Sequence, residues 1–214
     1  MKFSTNHPLL YIYSSMKIFL ILYISIPLFV FSQKHDYIWI TGHNNNLVDT
    51  SFGGATIDFN FNPAYVYYNY RELNLFTTNA SICDSLGNLL FYTNGCSIAG
   101  ADDLILENGE DLNPGSGHSV WCDQYKDGYS GGIQNAIILP LPDSIGVYYL
   151  IHKSFELSPK ALADKLMYSV IDMRMSNGKG KVVQKNVLLM TGELSFGEIV
   201  GVKHANGKDW WLIT

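Results

Sequence analysis

The side chains with the most evident chemical potential are four carboxylates in one irregular stretch. Asp102, Asp103, Glu107 and Asp111 lie within residues 101–133, a segment rich in Asn, Gly and Ser. Ca²⁺ takes six to eight oxygen ligands from carboxylates and carbonyls, and a long loop can supply them. The four residues are therefore the candidate metal ligands, with Ca²⁺ as the ion. The spacing of an EF-hand is absent, so a solvated acidic loop is the alternative.

The same carboxylates could instead act as the acid and base of a glycoside hydrolase, which needs two carboxyl groups about 5–10 Å apart. A second set with catalytic chemistry is Ser116, His118, Ser119 and Asp123, but a chain of this length offers such a set by chance. The chain contains no nucleophile elbow, zincin helix, phosphate-binding loop or dinucleotide fingerprint. No catalytic or cofactor-binding residue is assigned, and the sequence favours a protein that is not an enzyme.

Cysteine spacing predicts one disulfide. Cys96 and Cys122 are 26 residues apart and bracket a turn-rich insertion, so we expect them to be bonded. Cys83 lies before a predicted hairpin turn, where its expected partner is Phe91, and it is expected to be a buried thiol. The chain has neither a Cys-x-x-Cys pair nor a Cys/His spacing suited to zinc.

The start of the chain has the form of a secretory signal. Met16 and Lys17 precede an apolar run from Ile18 to Phe31, with a small residue, Ser32, at its exit. The 14 residues of this run are fewer than the roughly 20 that span a bilayer. We expect cleavage near Ser32, no stable transmembrane anchor, and a secreted or cell-surface protein. Met16 is an alternative start, and residues 1–32 are predicted as the signal peptide.

Bulk composition argues against a nucleic-acid-binding protein and against a disordered chain. The formal net charge is −5, and no cluster of Lys and Arg occurs. Because nucleic-acid binding depends on neutralising phosphates, a nucleic-acid partner is not expected. With 47% hydrophobic and only 15% charged residues, residues 33–214 should fold around a core.

Short aromatic strands recur at a near-constant interval. Hairpins turn at Gly87, Gly146 and Gly207, an interval of 59 and then 61 residues. One aromatic hairpin per repeat is typical of propeller blades, so residues 33–214 are predicted to be an all-β domain of about three antiparallel blades. The strand at Tyr37–Thr41 is expected to complete the last blade. Asn177-Gly178 predicts one more hairpin.

A cluster of four tyrosines follows the first strands. They are Tyr65, Tyr67, Tyr68 and Tyr70. They could form a platform on which sugars stack, or they could pack between neighbouring blades.

Several motifs resemble the N-terminal propeller-like regions of secreted Bacteroidetes proteins, many of them exported by the type IX route. The resemblance is carried in order by residues 79–95, 108–109, 134–142, 168–173, 178–186 and 202–214. It covers almost the whole mature chain and implies a β-propeller module without implying an activity. Proteins of this type continue to a C-terminal sorting domain, so the resemblance implies a partial propeller.

Two classes of function are consistent with these observations. The first is a non-catalytic secreted or cell-surface interaction module, the N-terminal part of a larger adhesin-like protein with a protein or glycan partner. The second is a secreted hydrolase acting on glycans, and a Ca²⁺-stabilised structural module is a further alternative. Open apolar faces on a partial propeller also predict aggregation of residues 33–214.

Overall fold

Every named strand belongs to one of four antiparallel sheets. The computed structural model describes residues 33–42 and 54–214 of this chain. The predicted fold class, all-β, is therefore confirmed at that level. The predicted signal peptide of residues 1–32 lies outside the described residues, as do residues 43–53.

Sheet 1 contains β1 (Ile38–Thr41), β2 (Ala55–Asp58) and β3 (Tyr65–Tyr68) in that order. The expectation that Tyr37–Thr41 completes the last sheet is wrong, because β1 pairs with β2. This pairing turns Ile38 and Ile40 towards the apolar residues of the next sheet, where both are buried.

Sheet 2 contains β4 (Ala80–Cys83), β5 (Leu89–Thr93) and β6 (Ile98–Gly100). The middle strand β5 is covered on both faces, because the consecutive residues Phe91 and Tyr92 point in opposite directions and are both fully buried. Ile82 is the residue opposite Phe91, and Cys83 lies opposite Leu89. Cys83 is a free and buried thiol whose pKa is raised to about 11 by burial.

Sheet 3 is the largest. Its strands are β7 (Ala136–Pro140), β8 (Val147–Glu156), β9 (Leu162–Asp172) and β10 (Lys181–Leu194). The predicted hairpin at Asn177-Gly178 joins β9 to β10 through a short 3₁₀ turn, Ser176–Gly178. Asn177 adopts φ 58°, a left-handed conformation that Asn tolerates better than most residues.

Sheet 4 contains β11 (Val200–Lys203) and β12 (Trp210–Ile213). The three predicted glycine turns all join the first two strands of a sheet, namely sheets 2, 3 and 4. The described residues form four sheets, whereas about three blades were predicted. Sheet 1 was missed because the connection between β2 and β3, residues 59–64, has no glycine.

The sheets stack in sequence order, with their first strands side by side. Strand β1 contacts β4, β4 contacts β7, and β7 contacts β11. Each pair of neighbouring sheets encloses an apolar cluster, because alternate residues of a strand project to opposite faces. Ile38 and Tyr92 belong to the cluster of sheets 1 and 2, Phe91 and Leu150 to that of sheets 2 and 3. Leu139, Ile151, Leu166, Ile199, Trp210 and Leu212 belong to the cluster of sheets 3 and 4.

Residues 101–133, predicted to be irregular, are anchored to the stack at several points. Leu106, Leu112 and Tyr129 are buried. A helical turn at Ser116–His118 continues into a π-helical segment, Ser119–Tyr125. No helix in the described part of the chain is long and apolar enough to cross a bilayer.

The π-helical segment is tied to sheet 2 by a disulfide. Its partners, Cys96 and Cys122, are the pair that the sequence predicts, and their Cα atoms are 5.6 Å apart. Cys96 lies in a small cluster with Tyr129 and Phe155. The bond therefore fixes the insertion beside the core instead of leaving it as a free loop.

Candidate functional site

Each of the four candidate metal ligands faces a different partner. Asp102 pairs with Lys179 at 3.0 Å, and Glu107 pairs with Lys181 at 2.5 Å. The hydrogen bonds from Lys179 and Lys181 hold the pKa of each carboxyl below its usual range.

Asp103 and Asp111 face other groups. The guanidinium of Arg71 lies 2.9 Å from Asp103, and the hydroxyl of Tyr92 donates to the same carboxylate oxygen. Asp111 is exposed, and its carboxylate is 3.9 Å from His118 Nε2. No group of three His, Cys, Asp or Glu side chains placed to hold a metal occurs among residues 33–42 and 54–214. The candidate calcium ligands are therefore not brought together.

The Ser, His and Asp side chains of the insertion do not form a catalytic triad. His118 donates through Nδ1 to the Leu112 carbonyl, and its Nε2 is 3.5 Å from Asp123 Oδ1. The Ser116 hydroxyl donates to Glu156 Oε2 at 2.6 Å, and that of Ser119 to the Gly115 carbonyl. Neither hydroxyl is therefore activated by the imidazole.

A hydrogen-bonded Ser–His–Asn group that sequence reasoning missed joins sheet 3 to the insertion of residues 101–133. His152 Nδ1 is 2.7 Å from Asn113 Oδ1, and Nε2 is 3.0 Å from Ser169 Oγ. The Ser169 hydroxyl accepts the Asn186 backbone N–H, so its own proton is free for His152 Nε2. This assigns the proton of the neutral imidazole to Nδ1.

This hydrogen-bonded group is not accessible to a substrate. His152, Asn113 and Ser169 have no exposed surface. Burial lowers the pKa of His152 to about 3, so the imidazole is a poor base at neutral pH. The three residues share no motif or spacing, and only the pairing of β8 with β9 and the turn at Asn113 bring them together. Their role is to satisfy polar groups inside the core.

An open cavity lies where the first strands of sheets 1, 2 and 3 converge. We call it the first-strand cavity, and its volume is about 590 Å³. This falls in the range of small-molecule sites. Its apolar wall is formed mainly by Ile40, Ile57, Ala136, Ile137 and Ile138.

Its polar groups come from segments next to the strands. Asp36, Asn79 and Gln134 line the cavity, and Trp39 lies at its exposed side. Within the described residues the carboxylate of Asp36 and the two side-chain amides make no hydrogen bond or ion pair. The sequence offered no signal for these three side chains beyond their position beside predicted strands.

A second hollow of about 530 Å³ lies near the hairpin turns of sheets 2, 3 and 4. Its charged groups are already engaged. Asp84 accepts the N–H groups of Leu86 and Asn88 within its own turn, and Lys208 pairs with Asp143 at 3.1 Å. The first-strand cavity is therefore the better candidate site.

The tyrosine cluster has partly exposed rings. Tyr65 and Tyr67 stack on each other with ring centroids 5.4 Å apart, and Phe61 meets Tyr65 edge to face. Tyr65, Tyr68 and Tyr70 are exposed. The described residues thus do not pack these rings between two sheets.

Comparison of the chain with protein-family models, with curated proteins and with solved structures finds no match.

Proposed function

We propose that this protein is a non-catalytic interaction module of the cell exterior, the N-terminal part of a larger adhesin-like protein. The observation that carries the proposal is the first-strand cavity, where polar side chains that have no partner among the described residues meet an exposed tryptophan. The predicted signal peptide supports a secreted or cell-surface location. The hydrolase alternative has less support, because Asp102, Asp103 and Glu107 each face a separate basic residue.

We further propose that the sheets are blades of a β-propeller-like domain. Three successive meanders and a two-stranded hairpin, with their first strands side by side, are consistent with the arrangement that propellers repeat around an axis. The resemblance to secreted Bacteroidetes proteins of the type IX class supports the same proposal. In such an arrangement the first-strand cavity lies near the axis.

The chemistry of the cavity favours a neutral saccharide as the ligand. Amide groups both donate and accept, which suits hydroxyl groups that do the same. Trp39 offers an apolar ring for the C–H face of a sugar. No Lys or Arg is among the described residues that line the cavity, so an anionic ligand has no counter-charge there.

Binding of the full chain to a saccharide array, followed by calorimetric titration with the sugars that bind, tests this proposal. We expect W39A and Q134A each to weaken binding at least tenfold. Y125A is the matched control, because Tyr125 is an exposed ring outside the cavity. Absence of any saccharide ligand, or equal losses in all three variants, would contradict the proposal.

Turnover measurements separate the rival classes. We expect no release of chromophore from chromogenic glycosides. Turnover that is abolished by D103N or E107Q would establish a hydrolase instead. A melting temperature that falls on addition of a chelator would support the calcium-stabilised alternative.

A further inference from the structure

The turn between β9 and β10 carries one of the four Asn-Gly pairs of the chain. The pairs are Asn94-Gly95, Asn108-Gly109, Asn177-Gly178 and Asn206-Gly207. In such a pair the main-chain nitrogen of the glycine can attack the side-chain amide carbon of the asparagine, because glycine has no Cβ to obstruct the approach. Asparagine is thermolabile for this reason. Ring closure requires rotation of the asparagine side chain, so its hydrogen bonds decide which pair reacts.

Two of the asparagines are tied to distant main-chain groups. Asn94 is buried, and its Nδ2 donates to the Asn74 carbonyl at 3.0 Å. Asn108 Nδ2 donates to the Val182 carbonyl of β10 at 2.9 Å. Each side chain would have to break its hydrogen bond before it could form a ring.

The side chain of Asn206 is held from both ends within its own turn. Its Nδ2 donates to Asp209 Oδ2 at 2.6 Å. Its Oδ1 accepts the main-chain N–H groups of Lys208 and Asp209, both at 3.0 Å. This asparagine is therefore protected although it lies on the surface.

Asn177 differs from the other three. Its side-chain amide makes no hydrogen bond with any residue that the structure describes. Asn177 and Gly178 are both exposed. Apart from its chain neighbours, no atom of the described residues lies within 4 Å of the position that a Cβ on Gly178 would take. Within the described part of the chain, nothing opposes rotation of this side chain towards the Gly178 nitrogen.

We propose that Asn177 is a site of spontaneous deamidation in the folded protein. The Gly178 nitrogen forms a bond to Asn177 Cγ, its proton passes through water to the departing amide nitrogen, and ammonia leaves. Water then opens the five-membered imide at either of its carbonyl carbons. The product at this position is aspartate or isoaspartate. The reaction consumes only water, and it adds one negative charge to the turn.

The modified turn is anchored on both sides of the reacting pair. The Ser176 hydroxyl donates to the Glu107 carboxylate, and Lys179 Nζ donates to Asp102 Oδ2 at 3.0 Å. Isoaspartate carries the main chain through its own side-chain carbon, so it lengthens the chain between these two anchors by one carbon. No residue of the turn lines the first-strand cavity, and the inference is independent of the proposed saccharide binding.

Peptide mapping by mass spectrometry after incubation of the full chain at mildly alkaline pH tests the inference. Asn206 is the matched comparison, because both asparagines stand in the sequence Asn-Gly-Lys. We expect Asn177 to convert about tenfold faster than Asn206 or more, because the hydrogen bonds of Asn206 must break before its ring closes. Isoaspartyl methyltransferase should detect isoaspartate in the product, which direct hydrolysis of the amide does not form.

Two controls attribute the difference to structure. In denaturant the two asparagines should convert at similar rates, because their neighbouring residues are nearly the same. D209A removes the acceptor of the Asn206 amide, so Asn206 should convert several-fold faster in this variant while Asn177 is unchanged. Circular dichroism confirms folding of D209A.

Equal conversion of Asn177 and Asn206 in the folded chain would overturn the inference. So would an Asn177 that stays intact in the folded chain but converts in denaturant. A preference for Asn177 that persists in denaturant would also overturn it, because the preference would then come from local sequence. An unchanged rate at Asn206 in D209A would show that side-chain hydrogen bonds do not select the site.

Discussion

His152 is held neutral in the middle of sheet 3. Both of its ring nitrogens have partners, Asn113 and Ser169, and burial lowers its pKa from 6.5 to about 3. In the unfolded chain the imidazole should titrate near its ordinary value. Between those two pH values the unfolded state binds a proton that the folded state does not. The stability contributed by neutral His152 is therefore complete above about pH 6.5 and is lost progressively as the pH falls towards 3.

The resulting prediction concerns acid stability. Lowering the pH from 7.5 to 5 should reduce the free energy of unfolding by about 2 kcal/mol through this residue alone. The measurement is denaturant unfolding at a series of pH values. H152Q, which cannot titrate, should be less stable at pH 7.5 but should lack this part of the pH dependence. Equal slopes in the two proteins between pH 5 and 6.5 would contradict the prediction.

At the level of single residues, the sequence predicts little of the candidate site. The disulfide pairing could be inferred, because two cysteines flanking an insertion are informative in themselves. Asp36, Asn79 and Gln134 could not be, because their convergence depends on how three first strands are placed side by side. The same holds for His152 and Ser169, which meet only through the register of β8 and β9.

The insertion of residues 101–133 depends on its disulfide more than on regular structure. Cys96 and Cys122 join the end of sheet 2 to the π-helical segment. The C96A/C122A double variant should lose about 3 kcal/mol of unfolding free energy, because the cross-link restricts the unfolded chain. Denaturant unfolding without reductant measures this loss. A change below about 1 kcal/mol would show that packing alone holds the insertion.

The link between sheets 3 and 4 depends on a buried lysine. Lys153 Nζ donates to the Ser195 carbonyl at 3.0 Å, the Ser195 hydroxyl at 3.1 Å and the Gly197 carbonyl at 2.6 Å. Burial lowers its pKa, while nearby Glu198 acts in the opposite direction. All three ammonium protons thus reach acceptors on the linker that precedes β11.

Replacing this lysine should loosen sheet 4 selectively. K153M leaves the linker carbonyls without their donor, which should cost about 1–3 kcal/mol. Hydrogen exchange should accelerate for residues 199–213 and much less for β8 and β9. K160M is the matched control, because Lys160 is exposed and its ion pair with Glu193 is long, at 3.8 Å. Equal protection of residues 199–213 in the two variants would exclude a role of Lys153 in docking the sheet.

The hairpins themselves are the part of the fold that the sequence predicts best. Gly87, Gly146 and Gly207 all adopt positive φ, which glycine reaches without strain, so the turn and the flanking apolar runs are local signals. The position of β1 in the fold cannot be predicted from local sequence. It depends on which sheet offers an apolar face, and Leu73 and Leu75 contribute to the cluster in which Ile38 and Ile40 are buried.

For the whole molecule, stability should be distributed along the stack, because each sheet contacts mainly its neighbours in sequence. The cluster between sheets 2 and 3 is then the junction that joins the two halves. Leu150 on β8 belongs to this cluster and is fully buried. A loss of packing at Leu150 should therefore weaken the molecule as a whole and not just one sheet.

L150A should lower the free energy of unfolding by about 2–5 kcal/mol, the usual cost of a cavity in a packed core. Chemical denaturation followed by circular dichroism and by tryptophan fluorescence measures the change with two probes. L188A is the matched control, because Leu188 is an exposed leucine of β10, and its cost should stay within about 0.5 kcal/mol. If L150A costs no more than L188A, the junction between sheets 2 and 3 does not hold the stack together. If only one probe shifts, the two halves unfold separately and the stack is not a single cooperative unit.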